Sequence, residues 1–250
     1  MRGHASWYIR SIMKPRRRLL TRQDPRDLPA YSVVEAAHYL RLPTATLRGW
    51  AIGRPYPRSD GLQYSESVLS LPDLNRPVLS FINLVEAHVL GAIRRRYRIP
   101  FHKVRSAVVF LKERLRSKHP LADYEFTTDR ISLFIDHLGR FINVTEEGQL
   151  AIRQLLQMYL RRIERDPHGI PIRLYPFTRD PEADEPRAVV IDPRISFGRP
   201  VLAGTGIATV IVAERFNAGE SMEDLAVDYG RGRSDIEEAI RCELALPRAA

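Results

Sequence analysis

The 250-residue sequence has only one cysteine, Cys242, and only four lysines against 35 arginines. One cysteine cannot form a disulfide within the chain, which excludes a disulfide framework and fits a reducing compartment. No apolar run approaches the roughly 18 residues that a membrane-spanning helix needs. The N-terminal segment contains arginines but no uninterrupted apolar stretch, so we expect no secretory signal. We therefore expect a cytoplasmic protein.

Catalytic and metal-binding motifs are also missing. The seven histidines are scattered and none has metal-ligand spacing, and there is no His-Glu-x-x-His, Cys-x-x-Cys or Gly-x-Ser-x-Gly. Gly198, Gly204 and Gly206 do not form a phosphate-binding loop, because no lysine follows them to reach a phosphate. We read these glycines as turn-formers and Cys242 as a core residue. We expect no enzyme activity, no catalytic residues, no metal and no cofactor.

Charge divides the chain into two halves. Residues 1–120 hold 23 Lys/Arg and 8 Asp/Glu, whereas residues 121–250 hold 16 and 22. A basic front half suits a polyanion such as nucleic acid, because phosphate contacts supply most non-specific affinity. Solvated surface with a basic arm at residues 1–28 is the alternative explanation. The acidic back half indicates a different partner.

A helix-turn-helix pattern follows the N-terminal arm. Ser32 and Glu35 have the spacing of a capping box. Thr44 can cap a second helix, which carries Leu47 and Trp50 on one face. The apolar residues after Ser32 repeat at i, i+3, i+4 and i+7 and are Val33, Ala36, Ala37 and Leu40.

The sequence from Tyr31 to Trp50 resembles the opening of MerR-type winged helix-turn-helix proteins. The resemblance implies that the second helix enters the DNA major groove, with Thr44, Thr46 and Arg48 facing the DNA. The following segment is similar to a wing with an Asp-Gly turn, where cationic and aromatic residues alternate. A purely structural helix pair with a surface loop remains the alternative. The DNA-contacting residues expected in the wing are Arg54, Tyr56, Arg58 and Tyr64.

The middle of the chain predicts helices, a hairpin and a dimerisation face. Residues 80–119 show two apolar repeats of helical period, separated by Pro100. The segments 131–135 and 140–144 flank a glycine turn and predict a β-hairpin. Thr145 can cap a helix whose apolar stripe serves either core packing or homodimerisation. Residues 170–177 predict one more strand, and the acidic, proline-containing stretch 178–187 predicts a linker.

The C-terminal region predicts a short β-hairpin followed by three helices. Two short strands, at 188–191 and 201–203, surround glycine turns, and a helix then begins near Thr209. Ser221 and Ser234 can cap the second and third helices. Three short helices over about 40 residues indicate a homeodomain-like bundle.

The order Asp-Pro-x-Ile-x-x-Gly-Arg-Pro-Val-x-Ala-Gly-Thr at residues 192–205, followed by Ala218-Gly219-Glu220-Ser221, resembles a DUF433 domain. The resemblance departs from that family at Gly206, where an arginine is usual. Together with the MerR-like front, the chain resembles VapB-type antitoxins of toxin–antitoxin pairs, whose toxins are PIN-domain ribonucleases. The residues that this resemblance makes candidates for toxin binding are Arg199, Thr205 and Arg215. A structural ion pair with Asp192 is the alternative role of Arg199.

These patterns predict a mainly α protein with small β elements. We expect a flexible basic arm at 1–28, a winged helix-turn-helix region at 29–120, a central β-hairpin/helix dimerisation region and linker at 121–185, and a DUF433 domain at 186–250. The predicted function is an antitoxin that neutralises a cognate PIN-domain endoribonuclease and represses its own operon as a homodimer on operator DNA. A stand-alone MerR-like transcriptional regulator without a toxin partner is the alternative.

Overall fold

The computed structural model describes residues 24–58, 61–73, 75–96, 101–123, 128–139, 146–179 and 186–244. Within these ranges the chain is mainly helical and its strands form only short antiparallel pairs, which confirms the predicted fold class. Most buried apolar side chains form one core, and six buried residues near the C-terminus form a second, smaller one. Across these ranges, no helix combines the length and the apolar composition that crossing a membrane requires.

The first helical pair forms because its start is specified locally. The Ser32 hydroxyl accepts the Glu35 N–H at 3.2 Å, and the Glu35 carboxylate accepts the Ser32 N–H at 2.9 Å, which is the predicted capping box. The second helix begins at Thr44, but Pro43 is its N-cap and no side chain caps it, so the predicted capping role of Thr44 is wrong. The elements of this region are β1 (Tyr31–Ser32), α1 (Val33–Tyr39), α2 (Thr44–Ile52), β2 (Arg54–Arg58), β3 (Gly61–Ser65) and β4 (Val78–Leu79).

Four helices form the main core together with α1 and α2: α3 (Phe81–Arg96), α4 (Phe101–Leu115), α5 (Thr128–Gly139) and α6 (Glu146–Leu160). Every residue of α3 from 81 to 93 is buried, so this helix is surrounded by its neighbours. It packs along α6, and α4 packs against α5. Ser80 starts α3 by accepting the Asn83 N–H at 3.2 Å through its hydroxyl.

The predicted β-hairpin at 131–144 is wrong for its first strand, because residues 131–135 lie in the middle of α5. The second predicted strand and Thr145 lie in 140–145, outside the described residues. Side chains of this stretch follow a period of 3.6 residues rather than two, since Leu133 is only half-buried. The fully buried positions are Ile131, Phe134, Ile135 and Leu138.

A hairpin after α6 connects the main core to the C-terminal region. It consists of β5 (Ile163–Arg165) and β6 (Pro171–Leu174), and β6 confirms the strand predicted at 170–177. Leu174 pairs with Ile191 through two backbone hydrogen bonds, with N···O distances of 3.0 and 2.8 Å. The C-terminal region is therefore joined to the rest of the chain by strand pairing as well as by sequence.

The C-terminal module, residues 186–244, contains a strand pair and a three-helix bundle. Its Ser221 hydroxyl accepts the Asp224 N–H at 3.1 Å and caps the second helix of the bundle, as predicted. The third helix has Gly232 as N-cap, so the predicted cap Ser234 is wrong: the backbone of Gly232 is already extended one residue before the helix starts. The elements are β7 (Val189–Val190), a 3-10 turn (Ser196–Gly198), β8 (Val201–Leu202), α7 (Thr209–Asn217), α8 (Met222–Tyr229) and α9 (Arg233–Glu243).

Two buried charged residues anchor the segment that precedes the C-terminal module. Arg162 is 6% exposed and donates to the carbonyl oxygens of Tyr175, Pro176 and Pro186 at 2.9, 3.1 and 3.2 Å. The carboxylate of Glu238 in α9 is fully buried and accepts hydrogen bonds from Thr178 and Arg179. Both flanks of residues 180–185 are thus fixed by polar contacts to folded elements.

Candidate nucleic-acid interface and partner surface

The second helix of the helix-turn-helix is held by one face and exposed on the other. Leu47 and Trp50 are 0% and 3% exposed, which locks α2 against α1 and the main core. Of the three predicted DNA-contacting residues on this helix, Arg48 is exposed and Thr44 and Thr46 are half-buried. No acidic residue lies in the first turn of α2, so nothing there opposes the positive end of the helix dipole. The exposed face of α2 can therefore contact an anionic surface such as a DNA backbone.

The predicted wing is a two-stranded hairpin that follows α2. Arg54 pairs with Ser65 in the register of β2 and β3, and the Ser65 hydroxyl bonds both the N–H and the carbonyl of Arg54, at 3.1 and 3.0 Å. The Arg54 side chain is exposed and that of Tyr64 is 73% exposed. For Tyr56 and Arg58 only the backbone positions in β2 are described.

Gly53 permits the sharp turn from α2 into the wing. Its φ is +77°, and a Cβ there would lie 2.0 Å from the carbonyl oxygen of Ser65. Side chains rarely adopt this left-handed backbone, and no side chain fits so close to a carbonyl. The position of the wing relative to α2 therefore depends on a residue without a Cβ.

A basic cavity of about 630 Å³ lies where α2, the wing and the start of α4 meet. Trp50 and Phe101 stack at 6.0 Å between ring centroids, and the Arg105 guanidinium lies 5.0 Å from the Phe101 ring. None of the described residues that line the cavity is acidic. The basic side chains along it are Arg54, Arg94, His102 and Arg105.

The sequence did not identify this cavity as a site. Its residues come from three separate segments, and Arg54 is the one of its four basic side chains that the sequence predicted as a DNA contact. Arg94 and His102 are exposed and Arg105 is half-buried. Because guanidinium groups form charge-assisted hydrogen bonds with phosphate oxygens, the cavity can hold a phosphate at the edge of the exposed α2 face.

The C-terminal bundle packs against the helix-turn-helix through its last helix. Its last helix, α9, packs against α7, α8 and α1. His38 in α1 lies 3.9 Å from Glu243 at the end of α9, and Arg41 donates to the carbonyl of Arg241 at 3.5 Å. The inward face of α9, including its fully buried Glu238, is therefore covered by the rest of the protein.

The three predicted toxin-binding residues have different environments. Thr205 shapes a turn, since its hydroxyl donates to the Leu202 carbonyl at 2.8 Å and accepts the Ile207 N–H at 3.0 Å. Arg215 forms ion pairs with Glu220 and Asp228. Arg199 is exposed and its guanidinium makes no hydrogen bond or close ion pair with a described residue, and the Glu35 carboxylate lies within electrostatic range of it. Of the two arginines, Arg199 is the one without a close ion pair among the described residues.

The proposed alternative role of Arg199, an ion pair with Asp192, is wrong because other arginines occupy that carboxylate. Asp192 is fully buried and accepts hydrogen bonds from Arg173 at 3.1 Å and from Arg194 at 2.8 Å. Burial alone would raise the pKa of Asp192, but the hydrogen bonds from Arg194 and Arg173 outweigh it and lower the pKa. This pair fixes the C-terminal module to β6.

The described residues offer little for nucleophilic or metal chemistry. Burial raises the pKa of the Cys242 thiol to about 12, so its thiolate is suppressed at neutral pH. In the described ranges no three His, Cys, Asp or Glu side chains lie close enough together to hold a metal ion. The two features that remain are the exposed α2 face with its basic cavity and the surface around Arg199.

Two protein families match separate parts of the chain. Residues 29–108 match the family described as "Putative DNA-binding HTH domain". Residues 189–241 match the family described as "Protein of unknown function (DUF433)". The helix-turn-helix and DUF433 resemblances predicted from the sequence are thereby confirmed.

Relatives from Mycobacterium tuberculosis resemble the chain along most of its length. The chain is 28% identical to a protein named "Putative antitoxin VapB45", over 86% of this chain and 93% of that protein. It is 25% identical to "Uncharacterized protein Rv2308", over 86% of this chain and 90% of that protein. The crystal structure of Rv2018 has a TM-score of 0.62 at 24% identity and covers 86% of this chain and 98% of its own, which supports the fold.

Proposed function

We propose that this chain is a DNA-binding antitoxin that neutralises a cognate PIN-domain endoribonuclease and represses its own operon. The observation that carries the DNA-binding part is the exposed, acid-free face of α2 beside a basic cavity. The antitoxin part is supported by the DUF433 match and by the similarity to a relative named as an antitoxin.

In this proposal α2 lies in the major groove and the wing contacts the flanking backbone. Arg48 is placed to make a bidentate contact with a guanine edge, the commonest specific contact of arginine with DNA. Thr44 and Thr46 contact neighbouring bases or phosphates. The wing residues, Arg54 and Tyr64 with Tyr56 and Arg58, and the cavity residues Arg94 and Arg105 contact phosphates.

Operator recognition by two chains follows from the same geometry. A symmetric dimer places two recognition helices about one duplex turn apart, ~34 Å, on a palindromic site. We propose that the central region, residues 121–185, supplies the dimer contact. The proposed partners are therefore operator DNA, a second copy of the chain and the ribonuclease, without any cofactor.

Neutralisation of the ribonuclease is assigned to the C-terminal module. PIN-domain active sites are clusters of carboxylates around divalent metal, and arginine pairs with carboxylates in bidentate geometry. Arg199 is the candidate for this contact because its guanidinium is exposed and forms no hydrogen bond with a described residue. Thr205 contributes by holding the turn after β8, and Arg215 contributes by joining the end of α7 to α8.

The DNA-binding proposal is tested by operator titrations with single-arginine variants of the full chain. Arg48→Ala should lower operator affinity by about 1–3 kcal/mol and relax sequence preference at one base pair. Arg94→Ala should weaken binding to all sequences alike and reduce the slope of log K against log salt by about 0.9.

Arg233→Ala is the charge-matched control, because this side chain is 64% exposed and pairs with Glu223 at the surface of the C-terminal module. This control should have an operator affinity within about twofold of that of the unsubstituted chain. Operator affinity that Arg48→Ala leaves unchanged at fixed salt contradicts the assignment of α2 as the recognition helix.

The antitoxin proposal is tested by co-purifying the full chain with the protein encoded beside it. A PIN-domain protein that co-purifies and loses ribonuclease activity in the complex is the expected result. If no such protein binds and operator DNA still does, the chain is a stand-alone transcriptional regulator.

A further inference from the structure

One large apolar side chain in the C-terminal module points into solvent. Phe197 is 94% exposed, the highest value among the exposed large hydrophobic residues of the described chain. It lies in the loop Ile195–Pro200, here called the Phe197 loop, which connects β7 to β8. Single exposed apolar residues are common on protein surfaces, so exposure alone does not indicate a site.

The backbone under Phe197 is unusual. Ser196, Phe197 and Gly198 have φ values of 47°, 56° and 78°, so three consecutive residues are left-handed. Glycine adopts this conformation readily, but a residue as bulky as phenylalanine is an outlier there. Such conformations persist where surrounding contacts impose them, and they cluster at sites of ligand contact.

Hydrogen bonds from several elements hold the Phe197 loop in this shape. The buried Tyr31 hydroxyl donates to the Gly198 carbonyl at 3.0 Å, and the Ser196 hydroxyl donates to the Gly206 carbonyl at 3.1 Å. The N–H groups of Gly198 and Arg199 bond the carbonyls of Ile195 and Ser196 at 2.8 and 3.1 Å. The exposed ring is therefore presented on a fixed backbone, which lowers the ordering cost of a contact.

The Phe197 loop lies among apolar and charged side chains. The start of α7 lies beside it, because Thr209 donates its N–H to the Pro200 carbonyl at 3.0 Å. Val210 and Ile211 on that turn are 37% and 48% exposed. Residues 193–213 contain two arginines and no Asp or Glu. Arg194 pairs with the buried Asp192, whereas Arg199 is exposed within electrostatic range of Glu35.

We propose that the Phe197 loop and the exposed first turn of α7 are the docking surface for the ribonuclease. Phe197 inserts into an apolar recess of that protein, and Arg199 pairs with carboxylates at the rim of the recess. An aromatic ring beside an arginine is the composition of binding hot spots. The exposed guanidinium of Arg199 makes the Phe197 loop complementary to a carboxylate of that protein. The inference rests on the proposed antitoxin function and names the surface that performs it.

The position of Gly206 is consistent with a docking surface at the Phe197 loop. A Cβ there would meet nothing within 4 Å, and its carbonyl already contacts the Phe197 loop. The DUF433 resemblance places an arginine at this position, which would add a second positive charge to the same face. In this chain Arg199 supplies that charge alone.

The test measures the affinity of the full chain for the PIN-domain protein encoded beside it, together with the melting temperature of each variant. Phe197→Asn should weaken binding by about tenfold or more. Its melting temperature should be unchanged or higher, because asparagine tolerates a left-handed backbone better than phenylalanine. Arg199→Glu should weaken binding at least as much, because it replaces attraction to carboxylates by repulsion.

Two matched controls lie elsewhere in the module. Val227→Ser removes another exposed apolar side chain, 81% exposed on α8, and Arg233→Glu reverses another exposed arginine. Both should bind within about twofold of the unsubstituted chain.

Three results would overturn the proposal that the Phe197 loop is the docking surface. The first is a Phe197→Asn chain that binds as tightly as the unsubstituted chain. The second is a Phe197→Asn chain that melts at a lower temperature, which makes the ring a structural residue. The third is a change from dimer to monomer in sedimentation without a change in ribonuclease affinity, which makes the surface a contact between copies. If the unsubstituted chain binds no PIN-domain protein, the antitoxin function itself fails.

Discussion

The hydrogen bond between Tyr31 and Gly198 joins residues 167 positions apart and ties the helix-turn-helix to the C-terminal module. Tyr31 is 3% exposed, so Tyr31→Phe removes the donor without opening the site to water. The Gly198 carbonyl then loses a buried partner, which costs about 1–3 kcal/mol of unfolding free energy. For a chain of this size that loss lowers the melting temperature by about 2–4 °C per kcal/mol.

Tyr39→Phe is the matched control for this substitution. Its ring meets that of Tyr31 edge-on at 6.4 Å, but its hydroxyl bonds to no other described residue. Urea unfolding of the full chain should therefore separate the two variants, with Tyr39→Phe within about 0.5 kcal/mol of the unsubstituted chain. Equal stability of the two variants would refute a stabilising role for the Tyr31–Gly198 bond.

A double-mutant cycle sharpens the same prediction. A Cβ at Gly198 would lie 2.3 Å from the Tyr31 hydroxyl oxygen and 3.2 Å from the ring carbon that carries it. Gly198→Ala should therefore destabilise strongly alone and less in the Tyr31→Phe background, because the closest clash disappears. The expected coupling is about 0.5–3 kcal/mol. Strict additivity would mean that the two residues do not contact each other in solution.

Two further predictions concern the wing and the main core. Gly53→Ala should weaken operator binding, because its Cβ would lie 2.0 Å from the Ser65 carbonyl oxygen and displace the wing. Gly206→Ala is the control and should leave operator affinity unchanged, because a Cβ there meets nothing within 4 Å. Burial lowers the pKa of His119, but the hydrogen bond from its Nδ1 to Glu86, at 2.9 Å, outweighs burial and raises the pKa above its ordinary 6.5. The stability from this pair is complete below about pH 6.5 and is lost as the pH rises through the raised value. Urea unfolding at about pH 6 and about pH 8.5 should show that decline in the unsubstituted chain and a flatter profile in His119→Gln, and parallel profiles would contradict it.

Local signals were predictable from the sequence. The capping box of Ser32 and Glu35 and the cap at Ser221 involve residues three positions apart, and the structure has both. The strand predicted at 131–135 is wrong, because its apolar, β-rich residues follow a helical period rather than a period of two. The buried set Ile131, Phe134, Ile135 and Leu138 fits a helical period, so a stricter count would have indicated a helix.

Contacts between distant segments could not be predicted in the same way. The basic cavity combines residues of α2, the wing and the α3–α4 junction, and no local pattern records that they meet. Asp192 could have paired with any of several arginines, and only the fold shows that Arg173 and Arg194 hold it. The left-handed backbone at Phe197 also follows from contacts with Tyr31 and Gly206 rather than from its own sequence.

The contacts that hold residues 178–187 imply that the two parts of the chain would stay together even if the backbone between them were cut. Arg162 binds the carbonyls of Pro176 and Pro186 on opposite sides of residues 180–185, and Glu238 holds Thr178 and Arg179. Strand pairing between Leu174 and Ile191 and the ion pairs of Asp192 add to these contacts. A single backbone cut between 179 and 186 would therefore leave two fragments that stay assembled. The same contacts make this position suitable for dividing the protein into two separately expressed, complementing pieces.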